Sequence, residues 1–153
     1  MYHKDEKKKD NKIITIILVM ILFIIVFIAQ SLFISGPKYF YENKIKEEMT
    51  LIKSKYNQDL KLSRHVFQYI TYIGENNDEY LWFNQEGSLL TKRAKNTIQY
   101  EQVKQILKQY GINEEMITLG YGYDNPVYVV SNDQVELLLD YDTLKEVYYL
   151  KKG

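Results

Sequence analysis

The chain has 153 residues, with 20 basic and 20 acidic side chains and no cysteine. This length allows one or two small domains, and the missing cysteines exclude disulfides, thiol catalysis and zinc sites built from thiolates. From Lys38 onward, 15 Lys and Arg residues face 17 Asp and Glu residues. That balance excludes the basic surface that nucleic-acid binding requires.

A basic tail and one long apolar segment begin the chain. Residues 1–12 carry five lysines, and residues 13–35 contain no charged side chain. A helix needs about 20 apolar residues to cross the hydrocarbon layer, so this segment predicts one transmembrane helix. Positive charge beside a span stays in the cytoplasm. The tail is therefore expected inside the cell and residues 37–153 outside the cell membrane.

Residues 13–35 allow two other interpretations. A buried core helix is disfavoured, because the rest of the chain is too short to cover a helix that is apolar on every side. A signal peptide could be cleaved near Ala29 and Ser31, but the apolar run exceeds the usual length of about 7–15 residues and lacks an A-x-A site. The prediction is an uncleaved anchor. Abundant Ile, Lys, Asn and Tyr are typical of AT-rich genomes and predict a Gram-positive host.

The segment after Gly36 and Pro37 has the periodicity of an amphipathic helix. One apolar stripe, with spacings of three and four residues, is formed by Tyr41, Ile45, Met49, Ile52 and Tyr56. This pattern predicts a helix over about residues 38–57.

Seven short strands and one further helix are predicted beyond residue 57. The strands are Val66–Ile73, Tyr80–Phe83, Ser88–Lys92, Met116–Tyr123, Pro126–Ser131, Val135–Tyr141 and Glu146–Leu150. A polar joint at Ala94–Thr97 precedes the helix, whose apolar face runs from Tyr100 to Tyr110 and which ends at Gly111. The repeated order of a helix and then strands predicts an α+β fold of two tandem units, 37–95 and 97–153, each with a helix packed on an antiparallel meander sheet.

Catalytic, metal and cofactor sites are not recognisable in the sequence. The histidines, His3 and His65, stand far apart, and no G-x-S-x-G motif occurs. Asp140 and Asp142 begin like a calcium loop, but the following residues lack the required Gly and oxygen ligands, so a turn is expected. The adjacent Glu114-Glu115 pair would point apart, which disfavours a glycosidase. The prediction is a non-enzymatic protein without a cofactor or metal, whose functional surface binds a partner.

Four aromatic residues are candidates for that surface: Tyr80, Trp82, Tyr121 and Tyr123. Alternation along a strand places Tyr80 and Trp82 on one face and Leu81 and Phe83 on the other. If Leu81 and Phe83 face the core, Tyr80 and Trp82 are half exposed and suit a binding hot spot. The alternatives are that Trp82 packs between the two units, and that Tyr121 and Tyr123 belong to the core.

Several segments of the C-terminal unit resemble PepSY domains. They are Tyr100-Glu-Gln-Val-Lys-Gln-Ile-Leu107, Ile117-Thr-Leu-Gly120, Asn125-Pro-Val-Tyr128 and Leu139-Asp-Tyr-Asp-Thr143. The departures are Leu144, where that family has Gly, and Gln99, where a capping Ser is common. Over the whole chain, including the span, the sequence is similar to the YpmB/TseB-like family of cell-wall elongation regulators. The resemblance implies two tandem cystatin-like folds and a non-enzymatic role.

Three functions follow as hypotheses. The resemblance implies a regulator that binds a membrane-bound peptidoglycan transpeptidase, such as a penicillin-binding protein. Because PepSY-like units also accompany peptidases, a tethered inhibitor or modulator of an extracytoplasmic protease is the alternative. A sensor that signals through its tail ranks last, since the 12-residue tail carries no recognisable effector.

Overall fold

The computed structural model describes residues 3–31, 33, 36–56, 59–112 and 116–152, with side chains from Ile13 onward. The chain divides into two compact bodies, Met1–Lys46 and Glu47–Gly153. The coarse expectation of an α+β protein with one N-terminal apolar helix is confirmed: two helices and a third shorter one accompany two antiparallel four-stranded sheets.

The first body contains helix α1, His3–Gln30, and the beginning of helix α2, Gly36–Tyr56. Within α1, the 18 residues Ile13–Gln30 are long and apolar enough to cross a membrane, and the rest of the protein covers none of them. A helix satisfies its own backbone hydrogen bonds, as a membrane-spanning segment must. The structure thus supports single-pass anchoring by length and composition.

The first sheet consists of β1 (Lys61–Val66), β2 (Ile70–Glu75), β3 (Glu79–Asn84) and β4 (Leu89–Ala94), in that spatial order. One sheet face packs on the last turns of α2. Ile52 is fully buried, and the ring of Tyr56 meets that of Phe83 edge-on at 4.8 Å. The hydroxyl of Tyr72 donates to the Glu48 carboxylate on the same helix.

The predicted strand Val66–Ile73 is wrong, because residues 67–69 form a turn between β1 and β2. The first sheet therefore has four strands, where three were expected. The predicted stripe on α2 is only partly confirmed. Ile45, Met49 and Tyr56 are half-buried around Ile52, whereas Tyr41 is exposed. The predicted helix end at Asn57 lies outside the described residues.

The second sheet follows helix α3, Tyr100–Gln109, and contains β5 (Ile117–Tyr121), β6 (Pro126–Ser131), β7 (Val135–Asp140) and β8 (Glu146–Lys151). Val103 and Leu107 of α3 are fully buried in the core that this sheet forms. Gly111 has φ +67°, the left-handed conformation expected of a residue that ends a helix. These elements match the predicted ones to within about two residues.

Strand β5 connects the two sheets. It lies against β1 and β2 of the first sheet, inside the body Glu47–Gly153. Both polar groups of the peptide between Gly120 and Tyr121 form hydrogen bonds with side chains of the first sheet. Its carbonyl accepts a 2.7 Å hydrogen bond from Trp82 Nε1, and its N–H donates to His65 Nδ1 at 3.2 Å. Gly120 permits this approach, because a Cβ there would lie 2.6 Å from Val129 and 2.7 Å from His65.

Candidate binding surface

Trp82 lies in the core and not on a surface. Its side chain is fully buried, its Nε1 bonds to Gly120, and its ring meets the Tyr141 ring edge-on at 5.7 Å. The half-exposed position considered for Trp82 is therefore corrected to the alternative, in which it packs between the two sheets. Alternation along β3 does separate Trp82 from Leu81 and Phe83, but β5 and α2 cover opposite faces of the sheet, so all three residues are buried.

Tyr80 lies apart from the other candidates. It is half-buried beside Tyr100 in a cavity of about 290 Å³ that also includes Lys61 and Glu75. Lys95 Nζ stands 5.5 Å from the centre of the Tyr80 ring and forms a 2.6 Å ion pair with Glu75. Burial, and then the charge of Glu75, raise the pKa of Tyr80. Its hydroxyl therefore stays neutral at physiological pH.

Tyr121 and Tyr123 meet the turn between β1 and β2. The rings of Tyr69 and Tyr121 are 6.2 Å apart, and those of Phe67 and Tyr123 meet edge-on at 5.2 Å. The Tyr69 hydroxyl donates to the carbonyl of Tyr123, and the Tyr121 hydroxyl donates to the carbonyl of Asp124 at 2.7 Å. Tyr69 is 43% exposed and Tyr123 45% exposed. Two of the four predicted residues thus belong to one aromatic surface.

This surface borders a groove of about 350 Å³, called the tyrosine groove below. Its lining residues are Tyr69, Ile70, Asn84, Gln85, Glu86, Leu90, Tyr121 and Asp124. Aromatic and aliphatic side chains supply apolar contact, and the amides and carboxylates supply hydrogen-bonding groups, as in most binding pockets. Sequence reasoning missed Tyr69, since it assigned that residue to the interior of a strand.

The tyrosine groove is acidic. Glu86 and Asp124 contribute two carboxylates, and none of its lining residues is basic. Two basic side chains lie nearby. Lys55 Nζ donates to the backbone carbonyl of Glu86 at 2.6 Å and keeps its positive charge there, whereas Arg93 forms a bidentate ion pair with Asp142 at 2.7 and 3.0 Å. Burial, and to a smaller extent the carboxylate of Asp124, raises the pKa of Tyr121, so its hydroxyl remains a hydrogen-bond donor at neutral pH.

The remaining polar candidates have structural surroundings. His65 is half-buried on β1, and burial lowers its pKa, so its Nδ1 can accept the Tyr121 amide hydrogen. Asp140 Oδ1 accepts hydrogen bonds from the Asp142 and Thr143 amides, which is turn geometry. Among the described residues, no group of three His, Asp or Glu side chains is placed to hold a metal. The side chains of His3, Glu114 and Glu115 lie outside the described part of the chain.

Comparison with known proteins gave no relative: no family model, no curated protein and no solved structure matches this chain.

Proposed function

We propose that this protein is a non-enzymatic, membrane-anchored regulator of cell-wall elongation. In this proposal α1 anchors the chain, and the tyrosine groove binds a membrane-bound peptidoglycan transpeptidase outside the cytoplasm. The observation that carries the proposal is the exposed groove on the body Glu47–Gly153. The same chain also has a helix that is able to cross a membrane, which would hold this groove near membrane-bound partners. The resemblance to YpmB/TseB-like regulators supplies the class of partner.

The chemistry of the groove specifies the partner's contact. Tyrosine is enriched among hot spots, because its ring buries a large area and its hydroxyl bonds at the edge. A Lys or Arg side chain could place its stem on Tyr69 and Tyr121 and its charge near Glu86 and Asp124. The proposed partner segment therefore carries a basic residue beside apolar ones.

Site-specific photo-crosslinking in host membranes tests this proposal. A photoreactive residue replaces Leu90 in the groove of the full chain, and a matched one replaces Lys108, which is exposed on α3. The Leu90 probe should capture a protein that a fluorescent β-lactam labels, and the Lys108 probe should capture much less. Capture that is equal at both positions, or that lacks any β-lactam-labelled protein, contradicts the proposal.

Charge neutralisation in the groove supplies the second arm of the test. The Glu86→Gln and Asp124→Asn double variant should lower capture by the Leu90 probe at least about fivefold, because it removes both carboxylates. The double variant Glu101→Gln and Asp133→Asn removes two acids outside the groove and should leave capture unchanged. A membrane protease among the captured proteins, in place of a transpeptidase, would favour the alternative of a tethered protease modulator.

A further inference from the structure

Three consecutive aromatic residues are exposed at the start of α2. Tyr39 is 66% exposed, Phe40 81% and Tyr41 51%. Large aromatic rings bury the most apolar area of any side chains, so a cluster left in water is unfavourable. Such exposed groups usually mark a surface that something else covers.

Folding of α2 does not account for Tyr39 and Phe40. The face of α2 that packs is centred on Ile52, which is fully buried. At about 100° of rotation per residue, Tyr39 and Phe40 stand roughly 120–140° away from Ile52 around the helix, on the opposite side. Tyr41, by contrast, lies on the same side of α2 as Ile52, although it is itself exposed. Two of the three rings therefore have no role in covering the first sheet.

Their place in the chain identifies what covers them. Tyr39 and Phe40 follow within ten residues of Gln30, where the apolar helix α1 ends. Aromatic rings concentrate at the level of the lipid headgroups, on either side of a membrane span. Lys38 and Lys44 flank them, and lysine can extend its ammonium group into water while its stem stays in the interface.

We propose that Tyr39 and Phe40 are immersed in the headgroup region of the bilayer that α1 crosses. The beginning of α2 is then a second membrane contact, formed by side chains and not by a span. This inference requires the anchor but not the proposed transpeptidase partner, so either can fail alone.

Tryptophan fluorescence of the full chain in lipid vesicles tests the inference. The native chain has one Trp, Trp82, which is fully buried and supplies a constant background. Tyr39→Trp and Phe40→Trp each add a reporter at the site and keep an aromatic ring there. Leu150→Trp adds a matched reporter at an exposed position on β8. The vesicles contain phosphatidylcholine and phosphatidylglycerol, with or without a lipid that carries a nitroxide near its headgroup.

The added emission of Tyr39→Trp and of Phe40→Trp should be blue-shifted and quenched by the nitroxide lipid. Dissolved iodide should quench it at least about threefold less efficiently than the added emission of Leu150→Trp. Water-like emission from either reporter, quenched by iodide as at Leu150, overturns the proposal. Protection from iodide without quenching by the nitroxide lipid also overturns it, because that result assigns the cover to protein, such as a second copy of the chain.

Discussion

At the scale of single residues, one peptide group joins the two sheets. The carbonyl of Gly120 and the amide of Tyr121 are bonded by Trp82 and His65, which come from strands β3 and β1. A trans peptide directs its C=O and N–H in opposite directions, so the two side chains hold it from opposite sides. His65 can do so only when Nδ1 is unprotonated, since protonated histidine has no acceptor.

The state of His65 predicts a pH dependence of stability. Burial lowers its pKa in the folded chain, whereas the unfolded chain keeps a value of about 6.5. The unfolded state therefore gains a proton first as the pH falls, and the stabilisation that is complete above about pH 7 is lost as the pH drops through 6.5 towards the folded pKa. The melting temperature of the full chain in detergent should fall between pH 7.5 and pH 5.5.

Substitution of His65 separates this effect from other titrations. In His65→Gln the fall in melting temperature over the same interval should be clearly smaller, even if the variant is less stable at pH 7.5. His3→Gln removes the other histidine and should keep the native pH slope. An unchanged slope in His65→Gln would assign the pH dependence to other groups.

At the scale of secondary-structure elements, the sequence predicts strand boundaries best where the connecting turns contain Asn, Asp or Pro, the residue types that favour turns. Asn125-Pro126 and Asn132-Asp133 separate β5 to β7, and those predicted strands nearly coincide with the observed ones. The turn at residues 67–69 reads Phe-Gln-Tyr, and β1 itself has mixed polarity. The local pattern therefore predicts one strand across the turn. The pairing of β1 with β2, a tertiary effect, sets the true boundaries.

The turn between β7 and β8 carries a prediction of its own. Leu144 has φ +57° and is the one non-glycine residue with positive φ in the described part of the chain. Glycine adopts this left-handed conformation without steric cost, whereas the side chain of leucine disfavours it. The left-handed region costs a side-chain-bearing residue about 1–2 kcal/mol, and more when the residue is β-branched.

The free energy of unfolding, measured by urea denaturation, should therefore be about 1–2 kcal/mol higher for Leu144→Gly than for Leu144→Val. Apolar contact alone predicts the reverse order, because Leu144 packs partly against the core and valine keeps more of that contact. A more stable valine variant would show that contact outweighs backbone strain at this turn.

At the scale of the whole molecule, the sequence predicts the candidate binding surface only in part. The sequence singles out Tyr121 and Tyr123 as aromatic candidates but leaves open whether they belong to the core; in the structure Tyr121 is half-buried at the end of β5 and Tyr123 is exposed beyond it. The burial of Trp82 and the role of Tyr69 depend on β5 lying against the first sheet, and no local periodicity encodes such a contact. Both predicted units, 37–95 and 97–153, contribute a sheet to the body Glu47–Gly153.

The predicted topology can be tested with single cysteines, because the native chain has none. Asp133→Cys, at an exposed loop between β6 and β7, should react with a membrane-impermeant maleimide in intact cells. Asn11→Cys, in the basic tail, should react only after the membrane is permeabilised. Labelling of the tail alone in intact cells would reverse the proposed orientation.

The hydrogen bond between His65 and Tyr121 also bears on association between copies of the chain. An edge strand offers backbone groups to strands of other molecules, and this pairing leads to aggregation. β5 is an edge strand of the second sheet, but the amide of Tyr121 already donates a hydrogen bond to His65 and the strand lies against β1 and β2. Proteins anchored side by side in one membrane reach high local concentrations. A chain whose β5 edge is covered in this way can reach such concentrations with one fewer site for edge-to-edge association.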